Sequence, residues 1–565
     1  MTNHASSPLQ LFMSDIHGEY ESFAHVLRSG CGAMQKLIAH HFAELDEAER
    51  TELLMLACYP KEKAALVRAE QGSLANAWLD DAVNKLMELV YTRCAEVADE
   101  QRARLTQHAW TQLGFEGAPN PADPFEDLSQ KERLSFASKL LRNYCLGEVH
   151  LVGDIYDRGP APDLIMDELA SIPDGDIQWG NHDIVWMGAA LGQPGCIGHV
   201  MRICSRYSNL PILTERYGMD LAPVEEFARK AYADDPCAAY GLKGSAELTE
   251  DQRYTNIKVQ KAMAIIQYKV EGQLIDENPS FALEDRKLLH RIDYERGTVE
   301  IEGIEYELTD KVFPTVDPND PYRLTPEEAE VLAYLQKTFL ECEKLQQHIR
   351  LFLDRGGLYR IDGNALMFHA CVPLNPDGSL MEVNLFGETL SGKALFDAVD
   401  AHVRDAFDSQ DPILAKQGRD LLWYLWLGEG SPLFGKKKMA TFERYVVDDK
   451  QAQAEPKNAF FSLFDDEAAH DTIFRDFGMD PEHSYLVCGH VPVKIKKGES
   501  PVRCNGRHFN IDGGFSEAYQ PTTGIAGITL VDEGGHITLV EHQPFHRAQG
   551  LSANEDISSK RTVVK

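Results

Sequence analysis

The chain has 565 residues, with 89 acidic against 56 basic side chains and a formal charge of −33, which argues against a nucleic-acid backbone or an anionic membrane as its main partner. Hydrophobic content of 43% and charged content of 26% are those of a soluble globular protein, and no stretch reaches the ~18 apolar residues of a membrane span. Eleven cysteines without C-x-x-C or zinc-finger spacing indicate neither a disulfide framework nor a thiolate metal site. Free thiols and a start, M-T-N-H-A-S-S-P, without a signal pattern make the cytoplasm the expected setting.

Leu9–Met13 is a short apolar run, read as a first strand, that empties into Ser14-Asp15-Ile16-His17-Gly18. Asp-x-His on an extended segment puts an oxygen and a nitrogen donor on one side. From about 20 to 145 the pattern turns helical, clearest over 49–57 and 74–97, with apolar residues at three- and four-residue steps. His40, His41 and His108 in this stretch read as surface or packing histidines.

Residues 149–159, V-H-L-V-G-D-I-Y-D-R-G, organise the rest. A buried strand ends at Gly153 and delivers Asp154, Asp157 and Arg158, the place where an open α/β sheet keeps its site. A helix over 160–169 and a short strand over 177–179 follow, the latter ending in Gly180-Asn181-His182-Asp183.

Residues 187–359 read as mostly helical and charged, interrupted by a hairpin over 296–308 around Gly303. The best-marked helix has Thr325 as cap, Pro326 in its first turn, Glu328 completing a capping box and Gly356-Gly357 at its end. Its apolar face is available to the core or to another subunit, so a homo-oligomer stays open. Strands over 364–373 and 485–492 then deliver His369 and His490, and strands at 509–511, 525–531 and 537–541 close the fold. The tail beyond about 546 is polar and expected to be flexible.

Asp15, His17, Asp154, Asn181, His369 and His490 are oxygen and nitrogen donors at strand ends, with no cysteine among them. Such a set suits Mn²⁺, Fe or Zn²⁺, with Mg²⁺ also open. Asp154 is placed to bridge two ions that would share a nucleophilic water and clamp a phosphoryl group. Arg158 suits phosphate oxygens, and Asp157 could orient His182 as general acid toward a departing alkoxide.

The order D-x-H, G-D-x-x-D-R, G-N-H-D and two later His motifs resembles the calcineurin-like metallophosphoesterase superfamily. The resemblance implies an α/β fold: a two-sheet αββα sandwich with helical flanks and a bimetal centre at the strand ends. It gives Asp15, His17 and Asp154 to one metal, and Asp154, Asn181, His369 and His490 to the other. Asp157 and His182 become the acid pair, with Arg158 on phosphate. Pro492 stands where many relatives have a further His, which is nearer the serine/threonine phosphoprotein phosphatases. Asp420-Leu421-Leu422-Trp423 is also similar to a segment of theirs, whereas Asp183 replaces their Glu and the long insertions do not fit.

The segments 435–445, 490–499 and 510–520, with the run 317–357 leading into 364–373, resemble class III fructose-1,6-bisphosphatase more specifically. That resemblance implies Mn²⁺-activated hydrolysis of the 1-phosphate of fructose 1,6-bisphosphate to fructose 6-phosphate in gluconeogenesis. A phosphoprotein or dinucleoside-polyphosphate phosphatase remains the alternative, and a non-enzymatic assembly protein ranks last because no ligand is lost. Lys494, Lys496, Lys438 and Arg444 belong to a cationic enclave that either holds the second phosphate or is a solvated basic loop. The expected layout is a core over 1–20, 146–186 and 360–545, helical insertions over 21–145 and 187–359, and a tail over 546–565.

Overall fold

In the computed structural model, which describes residues 9–243, 248–517, 519–553 and 559–564, both faces of Leu9–Met13 (β1) are covered. This is why the strand reads as an apolar run and not as an alternation. β1 pairs in parallel with Glu148–Leu151 (β2), and β2 with Gly175–Gln178 (β3). Gly356–Gly357 (β4) extends this parallel set at one edge. On the other side β1 meets the antiparallel wing of Ile528–Glu533 (β10), His536–His542 (β11) and Ser559–Val563 (β12). Among the described residues this makes one mixed sheet of seven strands.

A five-stranded sheet is built from Tyr359–Asp362 (β5), Ala365–Phe368 (β6), Tyr485–Cys488 (β7), Val502–Arg503 (β8) and His508–Asn510 (β9). Its centre, β6, β7 and β9, is parallel. The two sheets share a core: Phe12 and Val152 from one side, Met367, Val487 and Phe509 from the other, with Ile528, Leu530 and Leu539 from the antiparallel wing. The outer face of the larger sheet packs on helices through Leu11, Met13, Val149, Leu151 and Ile177. The chain is therefore a mixed α/β protein.

Register brings the chemistry together. Met13 stands beside Leu151 and Leu151 beside Ile177, so the turns after β1, β2 and β3 leave the sheet at one edge. Met367 stands beside Val487, so the turns after β6 and β7 leave the second sheet together as well.

Seven helices between Tyr20 and Leu146 surround a cluster of their own that includes Leu54, Met55, Leu86, Phe136 and Leu140. The marked helix begins as the sequence reads, with Thr325 and Glu328 forming a capping box, but it breaks at Cys342 into Pro326–Glu341 and Glu343–Arg355. The hairpin around Gly303 is the outer part of a three-stranded sheet.

The tail departs most from expectation. Arg547–Ala553 is a helix whose Leu551 packs with Phe545 into the core of those seven helices, and β12 forms the edge of the large sheet. Its polar sequence suits an edge strand, where much of the side-chain surface faces water. Leu530 is fully buried between the sheets. Leu530→Ala is therefore expected to cost about 2–5 kcal/mol, measured as a lowered midpoint of urea unfolding.

Candidate active site

Five strand-end turns converge. Asp15 and His17 follow β1, Asp154, Asp157 and Arg158 follow β2, and Asn181 and His182 follow β3, while His369 and His490 come from the second sheet. Six of these residues are held at positive φ: Asp15 (54°), His17 (48°), Asp154 (59°), Asp157 (66°), Arg158 (70°) and His490 (70°). Left-handed backbone at a residue with a side chain costs of order 1–3 kcal/mol, so such clustering marks an over-determined functional site. Glycines allow the approach: a Cβ on Gly180 would lie 2.2 Å from Asp154 Oδ1, and one on Gly489 would lie 1.9 Å from Ser14 Oγ.

The six expected donors are brought together. His17 Nε2 is 3.7 Å from Asp15 Oδ1 and 3.8 Å from Asp154 Oδ2. His369 Nε2 is 3.4 Å from Asp154 Oδ2 and 3.1 Å from Asn181 Oδ1. His490 Nδ1 is 3.0 Å from the same Asn181 oxygen. The donors form two groups, Asp15–His17–Asp154 and Asp154–His369–His490, with Asp154 common to both.

The surrounding bonds fit a metal pair. His17 Nδ1–H donates to the Tyr156 carbonyl at 3.0 Å and His369 Nδ1–H to the Val152 carbonyl at 2.8 Å. Both rings are thereby fixed with Nε2 toward the carboxylates, the usual outer bonding of a ligand histidine. Asp154 Oδ1 accepts the His182 amide at 2.9 Å, and Asp15 Oδ2 accepts the His490 amide at 2.9 Å.

The charges ask for a cation. Burial works to raise the Asp154 carboxyl, yet His369 and His182 outweigh it and hold it well below the ordinary range. Burial raises Asp15, and the neighbouring Asp154 adds to the effect. His369 is fully buried, which by itself lowers an imidazole, but the Asp154 and Asp15 carboxylates push it up to about 10. His17 is held well below its ordinary value by burial and by Arg158.

The expected catalytic residues sit beside the same donors. His182 Nδ1–H donates to Asp157 Oδ2 at 2.6 Å, and Asp157 Oδ1 accepts Trp186 Nε1–H at 2.8 Å. Arg158 donates to His17 Nε2 at 2.7 Å and to His182 Nε2 at 3.0 Å. Its guanidinium lies 4.6 Å over the Tyr519 ring.

Several participants escaped the sequence reading. Asp183 accepts four backbone N–H groups, from Gly180, Asp154, Ile155 and Tyr156, at 2.8–3.1 Å, tying the β2 and β3 turns together. Burial and Asp154 raise it to about 7. The signal lay in its place after Asn181-His182 at the start of a helix. Asp512 is buried and raised well above the ordinary range by burial and the nearby Asp15. Trp426 meets the His182 ring edge-on at 4.9 Å, for which no local pattern existed.

The expected basic residues divide. Lys438 is paired to Glu302 at 2.5 Å and Arg444 to Glu455 at 3.0 Å; neither bonds to any of the six donors. Lys496 packs beside Gly524. Lys494 belongs with two others: Lys436 and Lys457 face each other across an antiparallel bridge, and burial together with Lys436 and Lys494 lowers Lys457. Lys457 lies 5.4 Å over Phe461, whose ring stacks 6.1 Å from His490.

An all-oxygen-and-nitrogen donor set with a guanidinium and a carboxylate-held histidine alongside has the chemistry of a metal-assisted phosphoester hydrolase. The family model described as Firmicute fructose-1,6-bisphosphatase matches residues 6–109 and 126–565, and the chain belongs to that family. It is 41% identical to the class 3 fructose-1,6-bisphosphatase of Alkaliphilus metalliredigens over 98% of this chain and 86% of the relative. It is 42% identical to that of Fusobacterium nucleatum (98% and 88%) and 41% identical to that of Bacteroides thetaiotaomicron (98% and 86%). No solved structure matches the chain. No helix among the described residues is long and apolar enough to cross a membrane.

Because His369 holds its proton up to about pH 10, a cation entering between it and Asp154 must displace that proton. The apparent Mn²⁺ affinity is expected to strengthen by up to about tenfold per pH unit between about pH 6 and 9, read by chelator competition. An affinity independent of pH would contradict the charge assignment.

Proposed function

We propose that this chain is a metal-dependent fructose-1,6-bisphosphatase that removes the 1-phosphate of fructose 1,6-bisphosphate to leave fructose 6-phosphate. The family match over nearly the whole chain carries this reading. The six converging donors support it as chemistry. Asp15, His17 and Asp154 would hold one ion, and Asp154, Asn181, His369 and His490 the other. Mn²⁺ is the proposed ion, since imidazole, carboxylate and amide oxygen without thiolate suit it. Divalent cations there would supply an activated water and neutralise charge on the phosphoryl group.

The chain's own residues supply the rest. Arg158, steadied on Tyr519, turns its planar guanidinium to two phosphate oxygens. Asp157, itself fixed by Trp186, sets the His182 tautomer and orientation through Nδ1–H. Once Arg158 has turned to phosphate, His182 Nε2 is free to take up a proton, and the resulting imidazolium, held by Asp157, gives that proton to the leaving oxygen at carbon 1. Lys457 and Lys494 are the proposed grip on the distal phosphate, with Lys436, paired to Glu455 at 2.8 Å, beside them, because locally basic charge offsets the acidic field of the whole protein.

The architecture is proposed to be the αββα sandwich of the calcineurin-like metallophosphoesterases. Its core would be the two sheets, interrupted by the segments 21–145 and 187–359. The thiols, all free, suit the proposed cytoplasmic setting.

Phosphate release from fructose 1,6-bisphosphate, with Mn²⁺ and after chelation, tests the reading; equal or better kcat/KM on phosphopeptides or dinucleoside polyphosphates would overturn it. Asp154→Asn is expected to lose bound metal and at least about 1,000-fold in kcat. His182→Ala is expected to keep its metal and lose about 100- to 10,000-fold. Lys457→Ala is expected to raise KM for the bisphosphate while leaving kcat within about twofold, the signature of lost uniform binding.

A further inference from the structure

At the opposite end of the strands from the catalytic turns lies a second donor group that phosphate-ester hydrolysis does not use. Parallel pairing sets His150 of β2 beside Asp176 of β3, and Asp176 Oδ2 lies 2.7 Å from His150 Nδ1. A carboxylate accepts, so Nδ1 carries the hydrogen and the ring's lone pair rests on Nε2. That Nε2 is sealed from solvent without a hydrogen-bond partner, on a side chain only 1% exposed. Phe12 stacks on the ring at 4.7 Å and fixes its plane.

Glu148, two residues earlier, projects from the same face of β2. Asp362 arrives from the end of β5 in the other sheet. One donor atom from each of Glu148, His150 and Asp362 lies within 4.8 Å of the others. The local charge is unbalanced. Arg360 pairs with Asp176 at 3.2 Å and with Asp362 at 3.1 Å. Glu148 accepts the Gln10 amide at 3.3 Å, while Arg104, on the same side, is held by Asp174. Asp176 and Asp362 thus share one guanidinium, and Glu148 adds a third carboxylate beside a buried lone pair that lacks a donor.

We propose that Glu148, His150 and Asp362 hold a divalent transition-metal ion, Mn²⁺ or Zn²⁺, that clamps the two sheets together. Imidazole and carboxylates without sulfur suit these ions, and the Asp176–His150 bond is the carboxylate support that ligand histidines carry. The set shares no residue with the catalytic donors, and His150 stands within β2 whereas Asp154 lies in the turn beyond it, so the ion is distinct from the catalytic pair. The clamp joins β2, in the middle of one sheet, to β5 at the edge of the other.

The full-length protein, loaded with Mn²⁺ or with Zn²⁺ and desalted, is assayed for metal per chain by mass spectrometry. Wild type is expected to retain one ion more than Glu148→Gln or Asp362→Asn, and its metal-dependent rise in Tm is expected to exceed theirs. Asp362→Asn, at a side chain 27% exposed, guards against a folding defect in the other variant. Asp154→Asn is expected to keep this ion while losing the catalytic ones, which separates the clamp from the phosphatase site. Equal metal content in wild type and both clamp variants, meaning only water or a proton at His150, would overturn the proposal.

Discussion

Two carboxylates buried side by side govern this structure. Asp15 and Asp154 are each 2% exposed, and a buried anion is tolerated only when positive charge faces it. The protein meets that demand from several directions: protonated His369, the Arg158 guanidinium, and backbone amides of His182 and His490 aimed at carboxylate oxygens. Each of these is a substitute or an accompaniment for the cations that the donor set is shaped to take. The excess of acid over the whole surface makes this local arrangement more necessary, since long-range charge opposes an anionic substrate.

Holding the carboxylates in place requires both sheets. β1 and β2 bring Asp15 and Asp154 to one level, while His369 and His490 belong to strands of the other sheet. The apolar interior shared by Phe12, Val152, Met367 and Val487 therefore sets the distance between the candidate donors as well as stabilising the fold. The turns themselves are strained at six functional residues, and Asp183 offsets part of that cost by gathering four amides from two turns. In this account Asp183 never meets substrate, yet the geometry of Asp154 rests on it.

Much of the site was legible because its residues announce themselves locally. A glycine, a carboxylate and a histidine after a short apolar run can be read without knowing where the strand sits, and the bounds of β1 follow directly from Leu9–Met13. What was not legible depends on tertiary partners. Ser559–Val563 becomes a strand only because β11 offers an open edge, and Leu551 is buried only because the helices between Tyr20 and Leu146 leave a place for it. Lys457 gains meaning from Lys436 across a bridge and from Phe461 beneath it, neither of which spacing reveals. Lys438 looked equivalent to its neighbours until Glu302 was seen to neutralise it.

Asp154 is proposed to be shared between two cation positions. The most direct measurement is an anomalous difference map from a crystal of the Mn²⁺-loaded protein. The account expects two peaks about 3.5–4 Å apart on either side of the Asp154 carboxylate. A single peak there, or peaks that leave Asp154 unligated, would contradict it.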